Sequence, residues 1–258
     1  MKKSKKQVVV ITGSTSGIGM ALCALYREAG DEVIGIARSA TEPDIAADVT
    51  DFAVLKSAID GVGEKYGHID IVIACAGGGL SGATELLPLS DVQKQVDLNF
   101  TGALETARAA LKYMGAGGKV VFISSACALF ALPYRAMYCA SKAAINMAAF
   151  GLYMELKDKG IRVTSICPGD IKTNFTANRV KHSEGGERYG DAPATSANKI
   201  DSREDKRMKL EPAAKKIYKY CNKCRKPMYI VGGKYKLLNF LRHVLPQKVM
   251  LDVTGKMF

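Results

Sequence analysis

The chain has 258 residues, 48% of them hydrophobic and 24% charged, a length at which one α/β core buries enough apolar surface to need no covalent staples. Its 37 Lys and Arg against 25 Asp and Glu give a net charge of +12, and the excess is local: residues 170–258 carry 20 basic against nine acidic side chains, whereas residues 1–169 carry 17 against 16. The basic opening, residues 1–6, meets an apolar run too short for a signal-peptide core, and no 18-residue apolar stretch follows, so neither export nor membrane spanning is expected.

Residues 7–12 (QVVVIT) form a β-branched run that stops at glycine, the pattern of a buried strand. Residues 17–30 suit a helix closed by Gly30, and 32–37 (EVIGIA) a second buried strand. A helix is predicted over 51–66, where Val54, Leu55, Ala58, Ile59 and Val62 share one face. A third strand, 69–74, ends at three glycines, and a long helix is predicted over about 91–114. Then come a strand at 119–124, an alanine-rich helix at 136–159 and a strand at 161–167 stopped by Pro168-Gly169. Strands that are apolar throughout and alternate with helices imply a parallel sheet covered on both faces, all in one domain. After Thr173 the pattern loosens. Residues 183–196 are Gly/Ser/Pro-rich and predict a mobile loop, 211–221 a basic helix, 228–231 a last strand, and 234–245 a basic amphipathic helix. Residues 1–173 thus form a scaffold and 174–258 a lid with a basic tail.

Gly13, Ser14, Thr15, Ser16, Gly17, Ile18 and Gly19 follow the first strand and open the first helix. Glycines there let the backbone approach a pyrophosphate, and free N–H groups at the positive helix end face the anion. The spacing is G-x-x-x-G-x-G, and no Lys-Ser/Thr follows to make a mononucleotide loop. At the end of the second strand a carboxylate would bind the adenosine ribose 2′-OH; here Arg38 stands instead, a guanidinium suited to a 2′-phosphate and hence to NADP(H) rather than NAD(H).

Tyr138 and Lys142 are four apart on a predicted helix, so they are neighbours on one face. An ammonium beside a phenol favours the phenolate; lowering its pKa by about three units corresponds to roughly 4 kcal/mol. Ser125, thirteen residues before Tyr138, follows the fourth strand at the carboxyl edge of the sheet, where a hydroxyl can bond a substrate oxygen.

With residues 12–19, Asp48, Asp97-Leu98-Asn99, Ser125, Tyr138, Lys142 and the run 168–173, the chain resembles the short-chain dehydrogenase/reductase family in its single-domain branch, over roughly residues 7–175. The resemblance implies a Rossmann-type doubly wound sheet and hydride transfer between NADP(H) and a carbonyl or secondary alcohol. It implies Tyr138 as general acid/base, Lys142 on the nicotinamide ribose lowering the tyrosine pKa, and Ser125 orienting the carbonyl. It also implies Asn99 positioning a water of the proton relay, Thr173 on the nicotinamide carboxamide and Asp48 at the adenine. Two departures stand out: Ala74-Cys75-Ala76-Gly77 replaces the family's Asn-Asn-Ala-Gly, and Ala128 occupies a position often held by glycine.

Substrate choice falls to the segment after Thr173, where Phe175, Met208, Leu210 and Met228 suggest a hydrophobic, steroid- or lipid-like compound. Leu237, Leu238, Phe240, Leu241, Val244 and Leu245 recur at helical spacing beside Lys234, Lys236, Arg242 and Lys248; they suit packing on the core or on another subunit of a homodimer or homotetramer, or else peripheral contact with a membrane. No nucleic-acid module accompanies the basic residues. Seven cysteines, mostly in apolar runs, fit reduced thiols of a cytoplasmic protein, and Cys221-Asn-Lys-Cys224 lacks companion ligands, so no metal is expected. The alternative from another class is a non-catalytic NADP(H)-binding regulator or interaction protein.

Overall fold

The computed structural model describes residues 6–202 and 207–257; residues 1–5, most of the basic opening, lie outside them. Strands β1 (Val8–Thr12), β2 (Glu32–Ala37), β3 (Ile45–Ala46), β4 (Ile71–Ala74), β6 (Lys119–Ile123), β7 (Arg162–Pro168) and β9 (Met228–Val231) make one sheet in the order β3-β2-β1-β4-β6-β7-β9. Every neighbouring pair is parallel. A small second sheet pairs β5 (Leu80–Ser81) with β8 (Val180–Lys181).

Alternation along each strand divides the core. Val8 and Val10 of β1 point into one hydrophobic layer, with Leu55, Ile59 and Val62 of α2 (Phe52–Tyr66), Ala103, Ala107 and Ala110 of α4 (Gly102–Leu111), and Ile145 and Ala149 of α5 (Ala136–Glu155). Val9 and Ile11 point into the opposite layer, with Leu22, Cys23 and Tyr26 of α1 (Gly17–Glu28) and Ala213, Ile217 and Cys221 of α8 (Leu210–Lys223). Both faces are therefore covered, as a Rossmann-type sheet requires. The chain winds outward from β1 to β3, then crosses back to β4, so the carboxyl ends of β1 and β4 flank the point where strand order reverses. Ligands bind at such points in open α/β sheets.

The long helix predicted over 91–114 is broken. α3 (Leu89–Val96) passes through a π-helical turn, Asp97–Thr101, before α4 begins. The wider turn re-aims Asn99 inward, and Gly102 lies so close to the Val49 carbonyl that a Cβ there would approach it to 2.7 Å.

The predicted mobile loop at 183–196 instead contains α6 (Gly186–Tyr189) and the start of α7 (Ala192–Asp201). Pro193 occupies the first turn of α7, where its missing N–H costs nothing, and Pro193 and Ala197 are buried. Asp201 at the helix end holds Arg179 and Lys181. Residues 174–258 are also more than a lid: α8 packs on α1, and β9 extends the sheet beside β7. Beyond the predicted tail helix, α9 (Gly233–Val244), a further helix α10 (Gln247–Met257) follows, with Met250 buried in a third core cluster beside Leu238. No described helix is long and apolar enough to cross a membrane.

Candidate active site

Gly13, Thr15, Ser16, Gly17, Ile18, Gly19, Arg38, Asp48, Ser125, Tyr138, Lys142 and Thr173 line one cavity of about 810 Å³ at the carboxyl edge of the sheet, whereas Ser14 of the same turn is buried away from it against Gly35 of β2. The turn is shaped for close approach. Gly13 has φ +70, and a Cβ there would meet the Ala76 backbone at 2.9 Å; a Cβ on Gly19 would sit 2.1 Å from the Gly13 carbonyl oxygen. With the α1 N-terminus facing the cavity, these residues fit a dinucleotide pyrophosphate. Thr173 closes over the turn, 3.6 Å from where a Gly17 side chain would begin.

The departure at Ala74-Cys75-Ala76-Gly77 has a backbone explanation. Thr12 Oγ1 accepts from the N–H groups of Cys75 (3.0 Å) and Ala76 (3.2 Å), tying the end of β4 to the end of β1 without a side-chain amide at 75. The Cys75 side chain packs against the sheet core instead.

Arg38 is exposed on the cavity wall beside Ser39. Asp44, the carboxylate that folds back over β2, is occupied by the Gly35 N–H at 2.7 Å and by the Arg27 guanidinium. Asp48 lines the cavity and turns its Oδ1 onto the Thr50 N–H and hydroxyl.

Tyr138 and Lys142 are both buried in the first turns of α5. Lys142 Nζ donates to the Ile123 carbonyl at the end of β6, 3.1 Å away, and Ser124 Oγ donates to the Lys142 carbonyl, so α5 is docked to the strand that carries Ser125. Ser125 Oγ accepts from the Cys127 N–H, which turns the chain away from β6 and leaves the hydroxyl at the cavity.

The electrostatics differ from the simple picture of a phenol acidified by its lysine. Burial dominates and raises the Tyr138 pKa, and the Cys127 thiol adds to the rise; the Ser125 hydroxyl and Arg135 guanidinium act the other way. Burial likewise pulls Lys142 down to about 8. Both charged forms are disfavoured because water is excluded before any cationic ring lies alongside.

Asn99 is fully buried and stands behind the cavity wall. Its Nδ2 donates to the Gly78 carbonyl and to Ser141 Oγ, and its Oδ1 accepts from the Gly78 N–H. Gln95 Nε2 bonds the same carbonyl at 3.0 Å. Asn99 thus acts here as a clamp on the glycine loop after β4, with both amide protons used by protein groups.

Of the apolar lid residues, Phe175 alone among the four lines the cavity, its ring 5.7 Å from that of Tyr138. Met208 and Leu210 pack against the second core layer and Met228 against the third cluster, because the chain between 208 and 228 returns to the sheet. Three cavity residues went unnoticed in the sequence. Cys127 is held down to about 7, chiefly by a hydrogen bond from the Cys139 thiol. Arg135 lies three residues before Tyr138, and Arg207 also lines the cavity; a cation as near the Tyr/Lys pair as Arg135 was the one available signal. Among the described residues no group of His, Cys, Asp and Glu is arranged to hold a metal.

This parallel sheet, glycine turn and Ser/Tyr/Lys group define a dinucleotide-dependent oxidoreductase site, and the comparisons agree. A family model described as short chain dehydrogenase matches residues 7–184; the chain belongs to that family and is a CH–OH/C=O oxidoreductase. It is 33% identical over 180 residues to the 3-ketodihydrosphingosine reductase of Bacteroides thetaiotaomicron, covering 67% of each chain. It is 34% identical over 182 residues to the serine 3-dehydrogenase of Rhizobium radiobacter, covering 65% of this chain and 73% of that one. A short-chain dehydrogenase from Streptomyces avermitilis superposes with TM-score 0.82 at 27% identity, over 97% of this chain and 96% of that one. Fold neighbours from Burkholderia cenocepacia (TM-score 0.76, 23% identity, 92% of this chain and 100% of that one) and Burkholderia phymatum (0.80, 19%, 95% of each) are complexes with NADP and NAD respectively.

Proposed function

We propose that the chain is an NADP(H)-dependent oxidoreductase that interconverts a ketone or aldehyde with its alcohol, using Tyr138 as the proton donor and acceptor. The observation that carries this reading is the burial of Tyr138 and Lys142 in the same cavity as the pyrophosphate turn and Ser125. The nicotinamide coenzyme that the Gly13–Gly19 turn and Thr173 would hold would, when bound, supply the hydride for reduction of the carbonyl carbon and accept it in oxidation. Ser125 Oγ donates to the carbonyl oxygen and Tyr138 Oη delivers the proton that oxygen needs to become a hydroxyl. Lys142, hydrogen-bonded to Ile123 O and lining the same cavity, would hold the nicotinamide ribose. Asn99 keeps the glycine loop beside them in register.

Preference for NADP(H) over NAD(H) is supported by Arg38 at the cavity wall and by the engagement of Asp44 elsewhere. A substrate with an apolar carbon skeleton next to its carbonyl is supported by Phe175, Leu80, Ala126 and Ile200. The test is nicotinamide absorbance with NADPH and NADH against a panel of steroid, lipid and small ketones. Turnover favouring NADPH, lost in Tyr138→Phe while NADPH still binds, is the expected result. Equal use of both coenzymes would overturn the cofactor assignment. Tight NADPH binding with no turnover on any carbonyl would restore the non-catalytic regulator.

A second copy of the chain is the proposed partner of α9 and α10. Leu238 and Leu241 pack inward, whereas Leu237, Phe240 and Val244 stand exposed, as do Val249, Leu251 and Val253; a solvated apolar face of that extent favours self-association. Light scattering should give a dimer or tetramer; a monomer that instead sediments with anionic vesicles would move the contact to a membrane. A cytoplasmic setting fits seven unpaired thiols.

A further inference from the structure

Arg135 ends the loop that leads into α5, is 8% exposed, and lines the cavity with its guanidinium carbon 5.6 Å from the centroid of the Tyr138 ring. Its Nε has no hydrogen-bond partner, and among the described residues no carboxylate pairs with it. The cavity carboxylates are engaged elsewhere: Asp170 accepts from the Tyr235 hydroxyl at 2.5 Å, and Asp91 holds His182 and Lys94.

Arg179 lies close behind. Its side chain is fully buried against Gly79, and among the described residues its Nε and Nη1 are also without partners. Among the described residues the carboxylate that meets it, Asp201, is shared with Lys181. Arg207, which also lines the cavity, spends Nη2 on the Ile200 carbonyl. A buried guanidinium with open donors is costly unless an anion meets it, and the ring face of Tyr138 compensates only in part. The coenzyme phosphates are not that anion. The pyrophosphate turn follows β1 and Arg38 follows β2, whereas Arg135 sits beyond β6, three strand spacings or about 14 Å from β2.

We infer that the carbonyl substrate carries an oxyanion group, a carboxylate or a phosphate, within a few bonds of the reacting carbon, and that Arg135 receives it beside Tyr138 with Arg179 and Arg207 supplying supporting positive charge. The planar fork suits two-point contact with such a group. This rests on the oxidoreductase reading above and narrows its substrate class: the apolar wall at Phe175 holds the carbon skeleton while the guanidinium holds the anionic end. Arg135 is then a specificity residue, not the proton donor.

The test compares matched pairs on the full chain with NADPH: 3-oxo and 4-oxo carboxylic acids against their methyl esters, and dihydroxyacetone phosphate against dihydroxyacetone. One charged member should win by roughly 10- to 100-fold in kcat/KM, through KM, and which pair responds separates carboxylate from phosphate. Arg135→Gln should remove that preference, and Arg135→Lys should restore part of it. Equal kcat/KM for charged and neutral partners across both sets would overturn the inference while leaving the oxidoreductase reading intact. So would an Arg135→Gln chain whose kcat falls alike for acid and ester with a displaced pH profile, which would assign Arg135 to the phenol. Should no carbonyl turn over, calorimetry of the NADPH-loaded chain with the non-reacting carboxylates and phosphates decides the inference alone: binding lost in Arg135→Gln sustains it, and no binding overturns it. The comparison of paired ligands on the unsubstituted chain needs no variant to fold.

Discussion

Asn99 grips Gly78 at both ends of its peptide: Oδ1 accepts the Gly78 N–H at 2.9 Å and Nδ2 donates to the Gly78 carbonyl at 2.9 Å. Asn99→Ala would leave the half-buried Gly78 N–H without its acceptor, while Ser141 Oγ keeps its bond to the Tyr138 carbonyl, at a cost of about 1–3 kcal/mol. Urea titration should show the lost stability, and the same variant should bind NADPH more weakly because the loop after β4 forms part of the cavity wall. Unchanged stability would mean that Gln95, which also bonds Gly78 O, holds the loop unaided.

Lys142 carries a stability penalty for the sake of the site. Its folded pKa, lowered by burial to about 8, lies below the ordinary lysine value of 10.5. The folded chain therefore binds fewer protons than the unfolded one between those values, and stability rises with pH across that window. Lys142→Met removes the penalty. Without coenzyme, the variant should exceed the parent at pH 7 by on the order of 3 kcal/mol, with the gap closing as pH climbs from 8 toward 10.5. Turnover should vanish. A pH-independent gap would show that Lys142 keeps its ordinary pKa.

Cys127 should be the most readily alkylated thiol. It lines the cavity with its pKa held down to about 7, whereas burial pushes Cys23 and Cys224 up to about 11 and Cys75 to about 12. Inactivation by iodoacetamide should accelerate through pH 7, level off above about pH 8 and be slowed by saturating NADPH. Cys139→Ala removes the hydrogen bond that favours the Cys127 thiolate, so its rate profile should move to higher pH. Peptide mapping that finds another cysteine labelled first would refute this.

Arg38→Asp should exchange coenzymes. Removing a guanidinium from a 2′-phosphate and supplying a ribose-binding carboxylate is expected to lower kcat/KM for NADPH by roughly 10- to 100-fold while raising that for NADH. The ratio of the two specificity constants is the measurement; a ratio that stays put would remove Arg38 from coenzyme selection.

The architecture and the coenzyme turn were legible along the chain because they depend on short-range pattern. A strand buried on both faces runs apolar along its length, as in Val8–Ile11 of β1, and a backbone that approaches a pyrophosphate must lack Cβ atoms, as at Gly13 and Gly19. Four-residue helical spacing likewise sets Tyr138 beside Lys142 wherever α5 packs. Long-range pairing was not legible. Composition marked 183–196 as a loop, yet Pro193 at a helix start and Asp201 bonded to Arg179 and Lys181 make helices there. Met208, Leu210 and Met228 have lid-like composition, yet the return of β9 to the sheet draws them into the core.

By itself the sequence determined a parallel doubly wound sheet, a pyrophosphate turn and a tyrosine one helical turn from a lysine, since each needs residues close together in the chain. Only the tertiary structure decided what those groups meet: that burial, not the lysine, sets the phenol, that Asn99 clamps Gly78, and that Arg135 faces the cavity with no carboxylate paired to it among the described residues. Charge and solvation depend on neighbours brought from distant segments, and their arrangement exists only once the chain is folded.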